Sequence, residues 1–132
     1  MHLHFYENAT ETVLLIFLII TFLQSGIDKI KDWKGNLSWL IGHFSKSPFK
    51  NSVPLLLGII TVVEMAAGIL ALIGLVHLLL FDHKDFALYA ALVSCLALLM
   101  LFIGQRINKD YEGAKTIVIY LIPSVFLLFL LQ

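Results

Sequence analysis

In the stretch PLLLGIITVVEMAAGILALIGL, residues 54–75, a carboxylate interrupts an apolar run long enough to cross a lipid bilayer. A charged group at the bilayer centre costs about 2.5 to 3.5 kcal/mol on insertion scales. Glu64 is therefore expected to be neutral unless a cation reaches it. Two roles follow for it: a hydrogen-bonded carboxyl that joins helices, or a site that takes a ligand or relays a proton. The second is favoured, because intramembrane acids mark functional sites. On a helix, Thr61, Glu64, Ala67, Gly68 and Ala71 share one stripe of mostly small residues, so the acid should face a closely packed bundle interior.

Hydroxyls are expected at the same depth. At 1.5 Å rise per residue Glu64 lies about 16 Å from the nearer end of its span, and Ser94, Ser124 and Thr21 fall at a similar level in the other apolar segments. Tyr120 adds a phenol. Pro123 cannot donate to the carbonyl of Ile119, which leaves another acceptor in that layer. A second group, Asp28 and Lys29 with Asp110 and Tyr111, is expected to form a polar cluster tying the end of the first span to the start of the fourth.

Other chemistries find little support. Cys95 is the single cysteine, which excludes a dithiol or an internal disulfide within this chain. His2, His4, His77 and His83 map to one side and His43 to the other, so no pair of histidines faces across the bundle at one depth; neither haem nor a metal site is expected. No phosphate-binding glycine loop or nucleophile–base pair is present, and no residue is assigned as catalytic.

The elements that must position Glu64 follow from composition. The 132 residues are 60% hydrophobic with a mean hydropathy of +0.94, far more apolar surface than a soluble core of this size could hide. Four spans are predicted, at 10–30, 53–76, 86–104 and 113–131, leaving no room for a soluble domain. The expected fold is all-α: an antiparallel four-helix membrane bundle in one domain. The opening MHLHFYENATE has no Lys or Arg, so the first span is not expected to be a cleaved signal.

Nine basic residues balance nine acidic ones, and nothing in the charge points to nucleic acid. Their placement is uneven. Lys29, Lys31, Lys34, Lys46 and Lys50 lie in the first connection and Arg106, Lys109 and Lys115 in the third, which is eight of the nine; Lys84 alone is in the second. The positive-inside rule then places the first and third connections in the cytoplasm and both termini outside. Within the first connection, Leu37, Leu40, Ile41 and Phe44 follow helical spacing after a candidate N-cap, Asn36, predicting an amphipathic helix on the inner interface. Trp33 and Trp39 suit that level.

Three stretches, SGIDKIKDW, VVEMAAGILALIGL and KDYEGAKTIVIYLI, together resemble the DoxX-like family of small four-helix membrane proteins, which includes the MauE-type proteins. The likeness covers nearly the whole chain. Its motifs match Gly26 with Lys29, Glu64 with Ala67 and Gly68, and Asp110, Tyr111, Gly113 and Ala114. The first connection is longer than a minimal family loop. The resemblance implies an accessory subunit of a quinone-linked redox system in a bacterial inner membrane, with quinone as the cofactor class and a membrane-protein partner or a second copy beside it. An assembly factor that recognises other membrane proteins is the alternative function; a small-solute transporter is weaker, since one four-helix unit has no inverted repeat.

Overall fold

The computed structural model describes residues 4–132. A single 3₁₀ turn, Tyr6–Asn8, leads into five α-helices: α1 (Ala9–Lys31), α2 (Trp33–His43), α3 (Val53–Phe81), α4 (Asp85–Ile107) and α5 (Tyr111–Leu131). No strand occurs among the described residues. α1, α3, α4 and α5 are each long and apolar enough to cross a membrane. The protein is an all-α, four-helix integral membrane bundle with a short fifth helix at its lysine-rich end.

The helices are longer than the apolar runs that predict them. α3 continues five residues past Val76, because Leu78, Leu79, Leu80 and Phe81 carry the pattern beyond His77. It stops at Asp82, whose backbone is left-handed at φ 51°. α5 starts two residues earlier than expected, since Asp110 caps it by accepting from the N–H of Gly113 at 2.9 Å. α2 also begins early. Asp32, not Asn36, is its N-cap, accepting from Gly35 N–H at 3.3 Å. α1 ends at Lys31, so the change of direction leaves no room for a later cap; Asn36 instead donates its side-chain amide to the Asp32 carbonyl at 2.8 Å.

Lipid gives helices no hydrophobic drive to associate, so close packing must hold the bundle. α3 is the central element, packing along α1 on one side and α4 on the other. Its small stripe makes both contacts possible. A Cβ on Gly74 would sit 2.6 Å from the backbone nitrogen of Ala87, so α3 and α4 touch main chain to main chain near their hairpin. Ala67, Ala71, Ala87, Ala90, Ala91 and Ala97 are fully buried beside them. On the other side, a Cβ on Gly68 would meet Leu23 at 2.6 Å and one on Gly26 would meet Met65 at 2.5 Å.

α4 packs along α5, whereas α1 and α5 meet over only a short stretch. The ring of four helices is thus closed on three sides and loosely seamed on the fourth. α2 turns Trp33, Leu37 and Leu40 onto the bundle. Ile41, expected on that face, is exposed, as is Trp39 at 63% of its surface.

Candidate functional site

The register between α1 and α3 sets the site. Gly26 against Met65 and Leu23 against Gly68 are the same antiparallel register, which puts Lys29 about level with Val62. That is only two residues, about 3 Å, from the level of Glu64. Side chains lean toward the N-terminus of their own helix. In an antiparallel pair this sends Lys29 of α1 and Glu64 of α3 toward each other.

They meet. Lys29 Nζ lies 3.2 Å from Glu64 Oε1 and 3.4 Å from Oε2, and it donates to Ser25 Oγ at 2.6 Å, one turn back along α1. Only Oε2 receives the ammonium at hydrogen-bonding angles; Oε1 is close enough for charge pairing yet has no hydrogen-bond partner. Glu64 is 1% exposed, while the Lys29 side chain keeps 17% of its surface. The cation beside Glu64 therefore comes from the chain itself. Gly26, Lys29, Glu64 and Gly68 all fall on this one α1–α3 contact.

Beside the pair, a cleft of about 510 Å³ lies along the loose α1–α5 seam, with Glu64 of α3 and Leu98 and Leu101 of α4 behind it. Thr21, Gln24, Ser25 and Asp28 give it a polar wall, and Phe17, Phe22 and Tyr120 an aromatic one. Phe17 and Tyr120 stack across the seam with ring centroids 5.9 Å apart and planes at 21°. Thr21, Ser25 and Asp28 recur at helical spacing on α1, which is why one face of that helix is polar here.

Of the five expected ligand residues, Glu64, Thr21 and Tyr120 line this cleft. Ser94 and Ser124 are fully buried outside its lining. Ser124 donates to the Tyr120 carbonyl at 2.9 Å, and the Ser94 hydroxyl has no hydrogen-bond partner.

The expected polar cluster of Asp28, Lys29, Asp110 and Tyr111 is divided. Asp28 lines the cleft and Lys29 turns to Glu64. Asp110 caps α5 and faces His43, whose Nε2 lies 3.1 Å from Asp110 Oδ2 and 3.3 Å from Gln105 Oε1. Tyr111 lies under the Arg106 guanidinium, 4.7 Å from its ring centre. Asn108 donates to the His43 carbonyl at 3.0 Å, so His43 latches the end of α2 to the α4–α5 loop, with Trp39 stacked on its ring at 4.6 Å. Sequence reasoning left out Gln24, Ser25 and Phe17 from the cleft and His43 from the Asp110 contact. The i, i+4 relation of Ser25 to Lys29 was the available signal for the first.

At the opposite end Asn8, 2% exposed, donates to Asp82 Oδ1 and to the His4 carbonyl, each at 2.9 Å. His77 donates from Nδ1 to the Ile73 carbonyl at 2.9 Å and His83 lies 3.4 Å from Asp85; His2 lies outside the described residues. Among the described residues no group of three or more His, Cys, Asp or Glu side chains is placed to hold a metal ion.

What fold and site define is a class: a small four-helix membrane protein with a buried glutamate paired to a lysine beside a cleft at one helix seam. No known protein family, curated protein or solved structure matches the chain.

Proposed function

We propose that this protein is a DoxX-like accessory subunit of a membrane redox complex, and that the α1–α5 cleft takes the head group of a quinone-class molecule from the bilayer. The observation that carries the reading is the buried Glu64, paired with Lys29, in the wall of a cleft at the bundle's loosest seam. A quinone ring is flat and apolar with two carbonyl acceptors. Phe17, Phe22 and Tyr120 suit its faces, and the Tyr120, Thr21 and Gln24 side chains offer donors. Reduction of the ring consumes protons, which the Lys29–Glu64 pair is placed to relay. The chain has one cysteine and no dithiol, so a partner membrane protein supplies the electrons.

In this reading the lysine-rich end faces the cytoplasm of a bacterial cell and both termini face out. Quantifying quinone in organic extracts of the purified protein, against an equal amount of Glu64→Gln, tests the site. The amide keeps volume and most contacts but cannot titrate, and at least tenfold less quinone should be retained. Equal retention would leave the carboxylate a purely structural group.

The exposed Trp39 and Ile41 on α2 favour a second reading, an assembly factor with that helix as its contact surface. Crosslinking from Trp39 separates the two: many transient clients support assembly, and one stoichiometric partner supports the redox complex.

A further inference from the structure

We infer that the protein carries a second site, for an anionic phospholipid, at its lysine-rich end. A groove of about 310 Å³ lies among α2, α3 and α4, lined by residues that include Phe44, Phe49, Leu57, Met100 and Gly104. Gln105 is its only polar lining residue. On α3 the lining runs from Val53 at the helix start to Ile60, which carries the groove about 10 Å along the bundle from the lysine-rich end.

Shape selects the occupant. A single methylene chain suits an apolar groove that follows α3 for about 10 Å. Gly104 keeps the space open: a Cβ there would meet nothing nearer than Phe44 Cζ at 4.0 Å.

Charge selects the head group. Lys46 and Lys50 lie in the short segment that joins Phe44 and Phe49 to the start of α3, and both are exposed. Among the described residues no acidic side chain pairs with either of them. Arg106 follows the lining residue Gln105 directly. Asp110, the nearby acid of the α4–α5 loop, is already engaged by His43 and the α5 cap. The segment beside the groove thus presents two lysines, Lys46 and Lys50, that lack acidic partners, and a lipid with its acyl chain in the groove would place its phosphate near them.

Native mass spectrometry of the full chain in detergent, titrated with phosphatidylglycerol or with phosphatidylcholine of the same acyl chains, tests the site. One phosphatidylglycerol should bind at least tenfold more tightly than phosphatidylcholine. The Lys46→Gln/Lys50→Gln protein, changed only at exposed positions, should lose about 10- to 30-fold of the phosphatidylglycerol affinity. Gly104→Leu, which fills the groove, should lose both lipids while its circular dichroism stays that of the native bundle. Equal binding of the two lipids, unchanged affinity in the double lysine variant, or displacement of the lipid by soluble glycerol 3-phosphate would each overturn the proposal.

Discussion

Removing the cation from the Lys29–Glu64 pair should unfold far more than a hydrogen bond's worth of stability. At 3.2 Å and an effective dielectric near 20, the attraction is about 5 kcal/mol before desolvation is subtracted. Lys29→Met would leave a carboxylate that is 1% exposed without its partner, a change that costs about 3 to 5 kcal/mol for a buried pair. Glu64→Gln is milder. The stranded ammonium sits two residues from the end of α1 and can extend along its stem toward the lysine-rich interface, so the loss should be about 1 to 3 kcal/mol. The double variant carries no buried charge at all and should be no less stable than Glu64→Gln alone. Reversible unfolding in mixed SDS micelles, followed by circular dichroism for all four proteins, measures the coupling, expected to be at least about 3 kcal/mol. Single effects that add to within about 0.5 kcal/mol would show two independent groups and refute the pairing.

Gly74→Ala should cost about 1 to 3 kcal/mol by pushing α4 away, because the new methyl meets the main chain of Ala87. By contrast Gly42→Ala, with nothing within 4 Å, should be neutral or stabilise α2 by up to about 1 kcal/mol; melting temperatures of the two read the difference. Asn8→Ala should lose about 1.5 to 3 kcal/mol by stripping Asp82 of its buried donor, and Asp82→Asn, which keeps an acceptor, should lose less in the same assay. For orientation, cysteines introduced at Glu7 and Lys84 in a Cys95→Ala background should react with an impermeant maleimide from outside the cell, and one at Lys46 only after the membrane is opened; the reverse pattern would invert the topology.

Much of the architecture was legible because lipid imposes long apolar runs, and the small stripe of α3 announced close packing through Ala67, Gly68 and Ala71. The Lys29–Glu64 contact was harder to see. Counting depth from the start of each helix put Lys29 at an interface and Glu64 at mid-span, but α3 begins about seven residues, some 10 Å, beyond the level at which α1 ends. That stagger is set by Gly26 and Gly68 packing on Met65 and Leu23, a tertiary fact with no local signature. The same holds for Asp110. Its contact with His43 depends on where α2 comes to rest. Depth alone grouped Ser94 and Ser124 with Glu64, yet a hydroxyl at the right level can face a different neighbour, and both serine side chains lie outside the cleft lining.

Photoaffinity labelling with an azido-quinone in native membranes tests most directly whether the cleft between α1 and α5 receives a quinone-class head group. Adducts mapped by mass spectrometry should concentrate on residues 17–28 of α1 and 117–120 of α5, and should disappear when unlabelled quinone competes. Labelling spread evenly over the lipid-facing surface, or unaffected by the competitor, would contradict it.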